Sequence, residues 1–333
     1  DIFMSKSKKI TTIVIACIFA VLAIFVTFWY FGVSYGDFYA KATKEFEIPG
    51  LSEGFTPQGL CYEDKENIFL VCGYMNDGSA SRIYVVDGKT EKTTKFFTLN
   101  IEDKVYTGHA GGIATDGTNV WIVGDGTVNR FSFEEVMAVE NGNAIQILDS
   151  FVSNNGADFV TVDRTKNNLW VGEFHREGKY DTDESHFIET SDGTINKAIS
   201  FCYEINSDSP YGITSTTPIM ALSTPSLVQG MSFTTEKIVI STSYSLPNSH
   251  IYSYTNIMEE TSEAEKTFNY NDSTAIPLFV LENKILIEDL EAPCMSEEIE
   301  FVNGKIYVLF ESACQKYGFV TREPLKNVFS FAI

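Results

Sequence analysis

The stretch LEAPCMSEEIEFVNGKIYVLFESACQKYG, residues 290–318, decides the fold. It reads as two strands, SEEIEF and IYVLFES, joined by a tight VNGK turn, with acidic residues at the far end of both. Four earlier stretches share the outline: TPQGLCYEDKENIFLVCGY (56–74), HAGGIATDGTNVWIVGDG (109–126), GADFVTVDRTKNNLWVGEFH (156–175) and VQGMSFTTEKIVISTSYS (228–245). Alignment places Gly59, Gly112, Asp158, Gly230 and Glu298 at one position, with spacings of 53, 46, 72 and 68 residues.

Each pair is followed by a third strand: SRIYVVD, TVNRFSF, AISFCYEI and SHIYSYT. Candidate fourth strands are TKFFTL, AIQILDSF, PIMAL and AIPLFVL. Four-stranded units repeating every ~45–70 residues are the mark of a β-propeller. The chain is therefore expected to be all-β with five four-stranded blades, or six if residues 181–228 hide a degenerate one. After Glu298 only three strands remain, the last being NVFSFAI, and EFEIP at 45–49 is placed to supply the fourth. Such closure removes open sheet edges. Outside the N-terminal apolar run no helix is expected beyond a short turn in FSFEEVMAVENG.

That apolar run, Ile10 to Phe31, carries no charge and is long enough to cross a bilayer core of ~30 Å at ~1.5 Å per residue. Lys6, Lys8 and Lys9 precede it, and Trp29 and Tyr30 stand at its far end as interfacial aromatics. The expected organisation is a cytoplasmic tail (1–9), a signal anchor (10–31), a linker (32–44) and an extracytoplasmic propeller (45–333), in a single-pass protein of the cell membrane. DIF before Met4 reads as upstream sequence. Two processing alternatives are a lipoprotein box at VIAC, Val14 to Cys17, and a signal-peptidase site at AKA, Ala40 to Ala42. The uncleaved anchor is preferred because the run exceeds an ordinary signal-peptide core.

A net charge of −21 argues against nucleic acid as a partner, since phosphate binding needs clustered Lys and Arg. The six cysteines show no metal-binding spacing. Cys294 and Cys314 flank the last hairpin, where a disulfide or a pair of buried thiols would both fit.

In a propeller the first strand of each blade lines the central channel, and the second returns antiparallel to it. The start of one and the end of the other emerge on the same face. The repeat thus gathers Gln58, His109, Asp158, Gln229, Glu297 and Glu298 with Tyr74, Asp125, Glu173, His175, Tyr244 and Glu311 at one channel mouth. Carboxylates and imidazoles so placed suit a ligand site, a hard cation or acid–base work. Asp158, Glu173, Glu298 and Glu311 form an all-oxygen set suited to Ca²⁺. The histidines would favour a transition metal instead. Trp121 and Trp170 fall at equivalent second-strand positions and read as packing between blades.

TPQGLCY…IFLVCGY…SRIYVVD and GHAGGIATDGTNVWIVGDG resemble blades of extracytoplasmic bacterial propellers of the broad SMP-30, NHL and YncE-like type, over roughly residues 50–320. In the lactonase branch of that group a divalent cation is held by a Glu at the first inner strand together with Asn and Asp from other blades. Glu53 in SEGFTPQGL is the residue that matches that Glu. The function expected is binding of a small ligand, a cell-wall component, or a surface protein or glycan at the mouth. A metal-dependent hydrolase using Glu173, Glu298 or His109 as base, and a structural scaffold presenting the 176–197 loop, are the competing classes.

Overall fold

The computed structural model describes residues 6–31, 35–260, 264, 266–271 and 273–333. The assignments made for residues 1–5, for the side chains of Lys6, Trp29 and Tyr30, and for linker residues 32–34 lie outside that description. Five antiparallel sheets form the blades of a propeller. Blade 1 runs inward to outward as Phe55–Glu63, Ile68–Met75, Arg82–Asp87 and Lys92–Ile101. Blade 2 is Gly112–Thr115, Asn119–Gly124, Thr127–Ser132 and Asp149–Val152. Blade 3 is Phe159–Asp163, Asn168–Gly172, Ala198–Glu204 and Met220–Thr224. Blade 4 is Val228–Phe233, Lys237–Thr242, Ser249–Thr255 and Leu286–Ala292.

Blade 5 joins the two halves of the chain. Ser296–Val302, Lys305–Phe310 and Asn327–Ala332 come from the C-terminal region, and Thr43–Glu47 adds the outer strand. Thr43 pairs with Ser330 and Glu47 with Asn327. The expected closure is present, and the described residues form five blades with no sixth among them. Residues 181–197 instead hold a short 3₁₀ turn, Glu184–His186, and a two-stranded ribbon pairing Ile188 with Asn196.

Two expected fourth strands are corrected. AIPLFVL does form a strand, Thr274–Val280, but it pairs in parallel with Met220–Thr224 and so widens blade 3. Blade 4 is completed by Leu286–Ala292, whose alternation of apolar and acidic residues suits an edge with one wet face. AIQILDSF divides: Ala144–Gln146 pairs in parallel with the outer strand of blade 1, and Asp149–Val152 completes blade 2. Excursions from blades 2 and 4 thus reach back to cover the outer edges of blades 1 and 3.

Five apolar clusters separate the blades. Leu70, Ile83, Ile122 and Phe131 fill the space between blades 1 and 2, for example, and Leu60, Val71, Leu309 and Val328 that between blades 1 and 5. Trp121 and Trp170 are fully buried as expected. Trp121 Nε1 donates to the Tyr211 carbonyl at 2.8 Å, while Trp170 stacks on Phe233 with centroids 5.3 Å apart.

The inner strands meet at the channel axis through their glycines. A Cβ built on Gly59 would lie 2.9 Å from the Gly112 Cα. One on Gly112 would lie 2.8 Å from the Val160 nitrogen, and one on Gly230 2.6 Å from the Glu298 Cα. The residue of blade 3 at this level is Phe159, so the placing of Asp158 there is off by one. Gly111, not Gly112, is the equivalent of Asp158, since the amides of the two donate to the Val123 and Gly172 carbonyls at 2.8 Å. Separately, the inner strands of blades 1, 4 and 5 carry a register shift, between Pro57 and Gly59, Val228 and Gly230, and Ser296 and Ile299. The pairings of blades 2 and 3 run without that extra residue.

Candidate ligand site at the channel mouth

Strand direction puts the starts of the inner strands and the ends of the second strands on one face. Before four of the inner strands a non-glycine residue takes positive φ: Ala110 at 53°, Ala157 at 48°, Leu227 at 70° and Met295 at 63°. The amides of Ser243 and Glu311 donate to the carbonyls of Leu227 and Met295, tying the second strands of blades 4 and 5 to this turn. The turn therefore fixes where the mouth side chains begin.

Three of them converge. Gln58 Nε2 donates to Glu311 Oε2 at 3.0 Å and to its neighbour, the Pro57 carbonyl, at 2.7 Å. Glu297, buried at the start of the blade 5 inner strand, shares a hydrogen bond with Glu311. Burial, followed by the adjacent Glu311 charge, pushes the Glu297 carboxyl well up, which favours a proton shared by the two carboxyls. Burial pushes half-buried Glu311 up to about 7, against the opposing pull of Gln58 and Lys316. Two carboxyls that favour sharing one proton thus stand side by side, with the Gln58 carboxamide against Glu311.

Aromatic and cationic side chains surround this group. Tyr74 lies against His109 with ring centroids 5.1 Å apart, and Lys316 Nζ donates to the Tyr74 hydroxyl at 2.8 Å. Lys316 also lies over Tyr317, 4.9 Å from its centroid. Across the mouth, Tyr244 is flanked by Phe174 and by Arg176, whose guanidinium carbon is 4.1 Å from the ring centroid. Lys179 donates to the Tyr244 hydroxyl at 2.7 Å. Sequence reasoning missed Arg176, Lys179, Lys316 and Tyr317. They follow the second strands in FHREGKY and ACQKYG, and only the position of those loops on the mouth face gives them meaning.

The remaining expected residues part company. Asp158 Oδ2 accepts from the Phe174 amide at 2.7 Å, and burial pushes its carboxyl up to about 6. Asp125 and His109 are exposed, while Gln229 reaches the Ser243 carbonyl at 3.4 Å. Glu173 is turned away from the mouth. It is buried, contacts His186 Nδ1 at 2.7 Å and accepts the Ile199 amide at 2.9 Å, so it pins the 176–197 loop. His175 is also buried, with Nδ1 2.7 Å from the Ser226 hydroxyl.

Glu298 sits at the axis below the mouth. Its Oε2 accepts the amides of Leu60 at 2.8 Å and Ile113 at 3.0 Å, from blades 1 and 2. Burial holds its carboxyl well above the ordinary range although these amides oppose the shift. The four carboxylates expected to share a Ca²⁺ are therefore each engaged by protein groups. Among the described residues no three His, Cys, Asp or Glu side chains are grouped to hold a metal ion. Glu53 pairs with Arg82 at 2.5 Å on the surface. Cys294 and Cys314 are both free, buried thiols, so no disulfide joins them in this structure.

No family profile and no curated protein matches the chain. Solved structures do resemble it. A tail fibre of Staphylococcus aureus phage P68 is 8% identical over 93% of this chain and 56% of its own, with a TM-score of 0.50. A Myxococcus xanthus glutaminyl cyclase is 11% identical over 88% and 97%, at 0.44. A Kuenenia stuttgartiensis hydrazine synthase is 11% identical over 83% of each chain, at 0.42. The likeness to the tail fibre shows the fold alone.

Proposed function

We propose that this chain is a membrane-anchored, extracytoplasmic propeller that binds a small polar ligand at its channel mouth. The observation that carries the reading is the Gln58–Glu311–Glu297 group within a rim of tyrosines and cations. A carboxylate and a carboxylic acid side by side can accept from and donate to one ligand, and tyrosine faces suit sugar or ammonium groups. Amino sugars, cell-wall fragments and small amines have that chemistry. A surface glycan would present it on a larger partner. A divalent cation at this mouth would need ligand or water oxygens to complete its shell.

The anchor reading is supported by the helix Lys6–Phe31, whose stretch Lys8–Thr27 has a mean hydropathy of 2.8 and no burial against the rest of the chain. Lysines on its N-terminal side favour an outward propeller. N-terminal sequencing of the protein recovered from membranes separates an anchor from a cleaved signal.

The ligand reading is tested by calorimetric titration of amino sugars, cell-wall fragments, amines and Ca²⁺. Binding that weakens at least ~10-fold in Glu311→Gln, the loss of one charge-assisted hydrogen bond, is the expected result. Ligands bound equally by wild type, Glu311→Gln and Gln58→Ala would refute a site at the mouth.

A further inference from the structure

The chain enters the propeller on the same face as the channel mouth. Tyr35, the first described residue after the apolar helix, is buried, and its hydroxyl donates to Asn248 Oδ1 at 2.7 Å. Asn248 lies in the turn linking Lys237–Thr242 to Ser249–Thr255, at the mouth end of blade 4. Arg322, from the mouth loop that follows Lys305–Phe310, hydrogen-bonds the Tyr35 hydroxyl and lies over its ring, 5.2 Å from the centroid. One turn further along, the Tyr39 hydroxyl donates to Glu323 Oε2 at 2.6 Å. The helix Gly36–Lys41 then leads down the blade 4–5 boundary, where Lys41 pairs with Glu288.

Four residue steps separate Phe31, the end of the apolar helix, from Tyr35. They span at most about 14 Å at ~3.3–3.6 Å per residue. The Arg322 loop is therefore held close to wherever that helix leaves the bilayer. It carries Phe319, 83% exposed and the most exposed large apolar side chain among the described residues, beside exposed Val320. Tyr317 and Lys316 precede the pair and Arg322 follows it. An apolar tip beside a tyrosine matches a lipid interface, where apolar side chains enter the acyl boundary and the ring sits at headgroup level.

We propose that the Lys316–Arg322 loop inserts into the outer leaflet of the bilayer that holds the chain's own helix, so that the channel mouth faces the membrane surface. The inference rests on reading that helix as an anchor. Its ligand would then be met at the lipid surface or at headgroup height. The committed occupant is the lipid interface, because the tether leaves little room for a folded partner between loop and membrane.

The test uses the full chain carrying Cys17→Ser, which removes the one exposed cysteine among the described residues. A single fluorophore is attached through Phe319→Cys, or through Glu236→Cys in an exposed turn on the opposite face. Neither substitution removes a buried side chain. The protein is reconstituted in phosphatidylcholine–phosphatidylglycerol vesicles with and without a headgroup nitroxide lipid. Strong quenching at 319, with little at 236, is expected. Equal quenching at both sites, stronger quenching at 236, or none at 319 in protein that floats with the vesicles overturns the docking surface and leaves the anchor standing. Protein that does not float with vesicles removes the anchor reading, and the docking surface with it.

Discussion

Burying a carboxyl at a propeller axis demands partners, and Glu298 takes them from the backbone amides of Leu60 and Ile113. Removing the side chain would strand both amides at a cost of about 1–3 kcal/mol each. Glu298→Ala is therefore expected to lose about 2–6 kcal/mol in urea unfolding. Glu298→Gln should lose about 1 kcal/mol or less, since burial already favours the neutral form and the amide keeps an acceptor. A second consequence concerns pH. Glu311 and Glu300 are pushed up to about 7 and Asp158 to about 6 by burial. Their unfolded values lie near 4, so between about pH 4.5 and 7 the folded state holds more protons and stability falls as pH rises. The melting temperature should drop from pH 5 to pH 7.5, and the drop should be shallower in Glu311→Gln. Thermal melts across that range decide it. The alignment found Glu298 among glycines, but spacing could not show that its carboxyl fills the gap they leave. Nor could it separate Glu297, which faces the mouth, from Glu173, which faces a loop.

At the scale of strands, hairpin turns and alternation made the inner three strands of each blade legible, because their pairing is local. Fourth strands were less legible, since their neighbours can come from another blade. Thr274–Val280 has the composition of a buried strand yet pairs with blade 3 across more than 50 residues of chain. The closing strand was legible only by counting what the last blade lacked. Its contribution is testable. A chain beginning at residue 49 leaves Asn327–Ala332 as an exposed edge and removes Phe46, whose ring packs 4.9 Å from Phe69. Losing a buried phenylalanine alone costs about 3–5 kcal/mol. Against a chain beginning at residue 35, the shorter form is expected to melt lower and to self-associate on size exclusion. Equal melting and a monomeric profile would show that three strands suffice for blade 5.

Over the whole molecule, five apolar clusters between blades make each sheet depend on both neighbours, and the joined chain ends leave no first or last blade to fray. The repeat was enough to infer this ring. What it could not supply was orientation, because the placement of Tyr35 against Asn248 and Arg322 depends on contacts more than 200 residues apart. The close approach of the inner strands at Gly59, Gly112 and Gly230 bears on traffic. With Glu298 wedged among them and bonded to the Leu60 and Ile113 amides, the inner strands crowd together at the axis beneath the mouth. A ligand held at the proposed site would then leave by the face it entered, and its rate of departure would set how soon the next could arrive.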